Sequence, residues 1–251
     1  MGLLPGWPCH DPQSSTAAWR LLMCGRYAMF GPVSVPREAK RELELLDVDL
    51  EAALNQREPQ YNIAPTQHAP VLAASPEGCQ VKAVQWGLVP SWAKDIKIGA
   101  QMINARAETV ASKPAFRGAF KKRRCLVPAS GYFEWKGEPG HKQPYFIHAP
   151  DGALLMFAGL WEAWRAKETD DWLRTFTIVT GEPGRVSADI HDRQPVILPA
   201  ADWSDWLTAD AEVAQGLLEH VTEAALTYYP VTKAVGSPRN KGAELVEPIS
   251  L

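Results

Sequence analysis

Short apolar runs with strand-like spacing outnumber helical ones along this chain, and the two kinds do not alternate regularly. A doubly wound parallel sheet needs a crossover helix between successive strands, so that architecture is excluded and an α+β fold with a mainly antiparallel core is predicted. Residues 69–74 and 80–86 read as strands around the turn Ser75-Pro76-Glu77-Gly78. Residues 144–149 and 154–161 flank Pro150-Asp151-Gly152, which predicts a hairpin. Residues 124–135 are strand-like but contain Pro128 and Gly131, which predicts a bend or bulge. Residues 175–180, 195–198 and 226–231 are further short strands. Helical spacing covers 36–46, with Pro36 in the first turn, and also 114–122, 201–207 and 211–221.

With 46% hydrophobic and 22% charged residues, 251 residues can bury a core without disulfides. Cys9, Cys24, Cys79 and Cys125 form no CxxC pair, so neither a secreted disulfide framework nor a zinc site is indicated. No apolar run approaches the roughly 18 residues of a membrane helix, and the N-terminus lacks the pattern of a signal peptide. A cytoplasmic protein is expected. The net charge of −3 offers no global attraction to nucleic acid, so DNA binding would need a local basic surface.

Residues 1–22 are irregular and rich in proline and hydroxyl side chains. Met23 is a plausible start, and methionine is readily removed before a small residue such as Cys24. The expected organisation is a leader over 1–23 and one domain over 24–251.

Dinucleotide, Walker A, HExxH and GxSxG patterns are absent, and six histidines show no metal-ligand spacing. What stands out is a series of clusters that set polar residues among aromatic and apolar ones. Each has an ordinary structural reading. Glu134 between Phe133 and Trp135 suits a strand residue facing outward. His191 suits a satisfied loop histidine, Asn104 a turn cap and Arg106 a surface ion pair. Lys121-Lys122-Arg123-Arg124 reads as a solvated helix end, Trp86 and Trp92 as core, and Cys79 and Cys125 as structural thiols.

Together, in order, the clusters MCGR (from Met23), YNIAPTQ (Tyr61), WGLVPSW (Trp86), INARAET (Ile103), GYFEWK (Gly131) and IHDRQPVIL (Ile190) carry a resemblance. With the closing Ala234-Val235-Gly236 and Asn240-Lys241-Gly242-Ala243-Glu244-Leu245, they resemble the SRAP family of SOS-response-associated peptidases, or abasic-site processing proteins, from Met23 to Val246. The resemblance implies one compact domain around a barrel-like antiparallel core with peripheral helices. It implies binding to single-stranded DNA and covalent capture of abasic sites, with no metal and no cofactor. By motif position Cys24, Asn104, Glu134 and His191 match the active-site residues of the family, and Arg26, Arg106 and Arg193 its phosphate contacts. Trp92 is expected to stack on a base beside the lesion. One site threading one strand favours a monomer.

The implied chemistry suits these residue types. An N-terminal cysteine carries an amine and a thiol on adjacent carbons, and together they can close a thiazolidine on the aldehyde of an open abasic sugar. Glu134 is expected to move protons as general acid and base, aided by its aromatic neighbours. His191 would serve the sugar oxygens or a phosphate, and Asn104 would orient by hydrogen bonds. Capture would proceed by lyase-like Schiff-base chemistry on abasic DNA. Two other readings fit the same residues: a hydrolase-type thiol autopeptidase that removes its own N-terminal segment, with Cys24 as nucleophile and Glu134 or His191 as base, and a non-catalytic single-strand binding module.

Overall fold

The computed structural model describes residues 25–75, 78–166 and 171–251. The leader expectation, Cys24, and Pro76 and Glu77 of the first predicted turn lie outside these residues. In chain order come β1 (Arg26–Met29), α1 (Arg37–Leu45), α2 (Leu50–Asn55), β2 (Gln60–Ile63), β3 (His68–Ser75), β4 (Gly78–Trp86) and β5 (Asn104–Arg106). Next are α3 (Arg117–Lys122), β6 (Arg124–Ala129), β7 (Gly131–Lys136), β8 (Gln143–His148), β9 (Leu155–Arg165) and β10 (Trp172–Gly181). Last come α4 (Arg185–Ala188), β11 (Gln194–Pro195), α5 (Trp203–Thr208), α6 (Ala211–Glu219) and β12 (Thr227–Pro230).

Five strands close on themselves in the order β10-β4-β3-β6-β9, with β9 pairing back to β10. Closure removes the exposed strand edges that an open sheet would leave. The ring is antiparallel except where β4 runs parallel to β10, Gln85 facing Thr175 and Trp86 facing Phe176. β5 continues along β10 beyond β4, with Asn104 opposite Ile178 and Arg106 opposite Thr180. A second antiparallel sheet has the order β12-β8-β7-β1-β2. The expected α+β architecture with a barrel-like, mainly antiparallel core is therefore the one observed, with helices at the periphery.

Residues facing the barrel include Tyr27 and Tyr132 from the second sheet and Trp86, Phe157 and Phe176 from the barrel strands, all fully buried in one core. The other face of the second sheet has its own cluster, in which Ala28, Phe133 and Phe146 are covered by Val231, Val235 and Leu245. Period-two alternation explains the division, because neighbouring residues of β1 and β7 point to opposite faces.

The bend predicted between 124 and 135 is a complete change of sheet. β6 belongs to the barrel and β7 to the second sheet. Ser130 at the switch donates its N–H to the Ala28 carbonyl at 2.8 Å, and its hydroxyl bonds both the N–H and the carbonyl of Phe30 at 2.9 Å. Gly131 starts β7 where a Cβ would meet Phe146 Cζ at 2.4 Å and the Ile147 carbonyl oxygen at 2.6 Å.

The predicted hairpin does not form. β8 pairs with β7 and β12, whereas β9 pairs with β6 and β10. The turn is real, with Gly152 N–H donating to Ala149 O at 2.9 Å and Gly152 at φ 73°. Turn residues reverse the chain without choosing its partner. Leu155–Leu160 is buried on both faces, which requires cover on both, and β9 lies in the barrel wall between β6 and β10. The helix expected over 114–122 begins only at Arg117. The basic run is also not uniformly solvated: Lys121 and Lys122 are exposed, Arg123 pairs with Glu162 at 2.6 Å, and Arg124 is buried. Its guanidinium bonds the carbonyls of Phe120, Trp206 and Ala209.

Candidate active site

In the β1–β7 ladder Arg26 lies opposite Phe133 and Tyr27 opposite Tyr132. One step beyond it, Gly25 and Glu134 line a cleft of about 240 Å³ together with Arg26, Pro65, Trp135, Lys142 and His191. Glu134 shares its face of β7 with Tyr132 and is only 3% exposed, so the outward-facing reading is wrong for it. Alternation puts Phe133 in the cluster on the far face and leaves the carboxylate on the cleft side. Cys24, bonded to Gly25 in the sequence, lies outside the described residues.

His191 reaches this cleft through α4. The Ser187 hydroxyl hydrogen-bonds the Tyr132 hydroxyl at 2.7 Å, docking α4 on β7 two residues from Glu134. The His191 N–H then donates to Ser187 O at 2.9 Å. Burial pushes the His191 imidazole below its ordinary pKa, Lys142 adds to that, and Asp192 opposes it. Its Nδ1 accepts from the Arg193 N–H at 3.2 Å and lies 3.0 Å from Asp192 Oδ1. The first contact needs an unprotonated Nδ1 and the second a protonated one. Burial favours the neutral ring, whose hydrogen sits on Nε2 when Nδ1 accepts from the Arg193 N–H and on Nδ1 when it donates to Asp192.

The arginines differ in their commitments. Arg26 donates to Val235 O at 2.7 Å, Gly236 O at 3.0 Å and Asn62 Oδ1 at 3.2 Å. Fully buried Asn62 in turn donates to the carbonyls of Val235, Ser237 and Asn240. The Lys241 ammonium donates to Asn62 O at 2.8 Å and Gln67 Oε1 at 2.7 Å. Three of the sequence clusters thus form one fastening behind the cleft. Arg193 makes a forked pair with Glu108 and donates to Thr180 O at 2.6 Å. Arg106 is exposed beside it on β5.

The cleft walls do not include Asn104, Arg106, Arg193 or Trp92. Asn104 opens β5 and is half-buried. Trp92 is 60% exposed, unlike Trp86, which is fully buried and donates from Nε1 to Ile103 O at 2.8 Å. Pro65 was within a recognised cluster, but Lys142 carried no sequence signal. A larger hollow of about 640 Å³ lies around α1 and α2 and is lined by none of these groups. Burial raises the thiol pKa of both Cys79 and Cys125, as suits structural cysteines. Among the described residues no group of three or more His, Cys, Asp or Glu side chains is arranged to hold a metal. No helix among them is long and apolar enough to cross a membrane.

The profile of the family described as SOS response associated peptidase (SRAP) matches residues 23–238. The chain belongs to the SRAP family. It is 38% identical over 229 residues to the abasic site processing protein YoqW of Bacillus subtilis (strain 168), covering 90% of this chain and 99% of that one. It is 32% identical over 235 residues to the abasic site processing protein YedK of Escherichia coli (strain K12), covering 90% and 100%. A crystal structure of a protein from Bacteroides thetaiotaomicron superposes with a TM-score of 0.70 at 26% identity, covering 89% of this chain and all of that one. The SRAP match includes both β1 and the loop bearing His191, so the cleft lies within the shared domain.

Proposed function

We propose that this protein captures abasic sites in single-stranded DNA by a covalent thiazolidine link to Cys24, made N-terminal by removal of Met23. The observation that carries this reading is the shared wall of the cleft. Gly25, one peptide bond from Cys24, lines it together with a buried carboxylate, Glu134, and a largely buried imidazole, His191. The names of the relatives, abasic site processing proteins, point the same way.

The Cys24 amine adds to the aldehyde carbon of the open sugar, forming a C–N bond and a carbinolamine. Loss of one water gives the iminium, and the thiol sulfur adds to the same carbon as its proton leaves. Aldehyde, amine and thiol thus yield thiazolidine and one water. Glu134 accepts the amine proton and donates to the departing hydroxyl, while neutral His191 donates from Nε2 to a sugar oxygen. Asn104 orients the sugar or amine. Arg106, Arg26 and Arg193 meet phosphates, and exposed Trp92 stacks on a neighbouring base. The protein acts as a cytoplasmic monomer that shields the lesion during the DNA damage response.

The test is a denaturing gel of the chain beginning at Cys24 with single-stranded DNA holding one abasic site, beside Cys24→Ser and the full 251-residue chain. A covalent band from the Cys24 start, absent with Cys24→Ser, supports capture. If the full chain also shifts, its mass distinguishes prior self-cleavage, the peptidase activity, from a link made elsewhere. No band from any folded form overturns the capture reading and leaves the binding module and the autopeptidase.

A further inference from the structure

We infer that Glu108 is a positioning residue for His191 and acts through Arg193: the carboxylate fixes the arginine side chain, and the arginine backbone fixes the imidazole. The inference rests on the reading of the cleft as the capture site.

The contacts form a continuous chain. Both Glu108 carboxylate oxygens accept from the Arg193 guanidinium. Such a forked pair sets the plane of the guanidinium as well as its position. The Arg193 side chain is 13% exposed, so it lies against the protein, whereas that of Glu108 is 49% exposed. The Thr180 carbonyl at the end of β10 ties the two ends together, accepting from Arg193 Nη2 at 2.6 Å and from the Ala107 N–H at 2.9 Å. Glu108 and Arg193 are thereby clamped to one point of the barrel. From that clamp the Arg193 N–H reaches back to His191 Nδ1 at 3.2 Å.

That last bond has a chemical consequence. A neutral imidazole that accepts at Nδ1 carries its hydrogen on Nε2. Asp192 Oδ1, 3.0 Å from Nδ1, favours the opposite tautomer, so with the Arg193 N–H no longer held against the ring, the form that donates from Nδ1 to Asp192 would gain. Glu108 lies outside the cleft walls, so it does not act on the sugar directly. The alternative role for this pair is competition, with Glu108 occupying Arg193 until a DNA phosphate displaces it. The two roles predict opposite effects. Removing a competitor strengthens binding to any single strand, whereas removing a positioning group slows the chemistry.

The deciding measurement is the 15N side-chain spectrum of His191 in the full chain above neutral pH, for wild type, Glu108→Ala, Glu108→Gln and Glu108→Asp. Wild type is expected to show Nε2 protonated and Nδ1 bare. Glu108→Ala should show a mixture of tautomers. Glu108→Gln, which can accept only one of the two guanidinium bonds, should lie between, and carries the test if the alanine variant does not fold. Glu108→Asp should restore part of the wild-type pattern. In the form of the chain that cross-links, the rate at saturating abasic DNA should fall about tenfold in Glu108→Ala, with affinity for undamaged single strands changed by less than about threefold. An unchanged tautomer in Glu108→Ala and Glu108→Gln overturns the inference, as does tighter binding to undamaged DNA with an unchanged saturating rate. If wild type forms no cross-link, the capture reading fails, and the spectra still decide whether Glu108 sets the ring.

Discussion

Arg26 and Val235 are joined by a 2.7 Å hydrogen bond across 209 residues, which fastens the start of the first strand to the C-terminal segment. The same guanidinium holds Gly236 O and Asn62 Oδ1. A side chain placed by motif among the phosphate contacts is therefore also a fastening of the fold. Arg26→Lys keeps the charge and loses the fork, so it should still lower stability, by roughly 1–3 kcal/mol. Urea midpoints of wild type and Arg26→Lys measure this. Equal midpoints would mean that the carbonyls of Val235 and Gly236 are satisfied without it.

Glu134→Gln preserves shape and removes the acid–base group. The cross-linking rate should drop by about 10²- to 10⁴-fold, with affinity for undamaged single-stranded DNA nearly unchanged. Single-turnover gels and a binding titration separate the two. A rate close to wild type would remove Glu134 from the proton-transfer role.

His191 should make stability depend on pH. Burial lowers its folded pKa below the ordinary 6.5, so on acidification the unfolded chain takes up the proton first. Its contribution is fully present above about pH 6.5 and is lost as pH falls through the lower, folded value. Urea midpoints of wild type should therefore fall between about pH 7 and about pH 5 more steeply than those of His191→Gln. Lys142→Gln removes a charge that opposes protonation and should flatten the wild-type slope in part. Parallel slopes in all three proteins would show that the ring titrates as in the unfolded chain.

Trp92 is 60% exposed, so Trp92→Ala should leave the melting temperature nearly unchanged. A stacking role predicts that affinity for single-stranded DNA falls by roughly 1–3 kcal/mol. Fluorescence anisotropy with undamaged and abasic strands tests it. An unchanged affinity would assign stacking to another residue.

The sequence by itself determined the class of fold, because strand periodicity and the scarcity of helical runs leave an antiparallel core as the way to bury those strands. It also determined the family, through ordered clusters that include Arg26, Glu134 and His191. β1, β2 and β5 were not legible: they run four, four and three residues, too short for a repeating pattern. The partners of β8 and β9 were not legible either, since Pro150-Asp151-Gly152 encodes a reversal of the chain and nothing about which sheet receives each arm. Tertiary structure alone decided that Glu134 is buried at a cleft, because either face of a strand can be the inner one until its sheet is covered on the other side. It also brought Lys142 to His191, tied Glu108 to Arg193 and closed Arg26 on Val235. Those pairings join residues far apart in sequence, and local chain geometry carries no signal of which distant groups the closed barrel will set side by side.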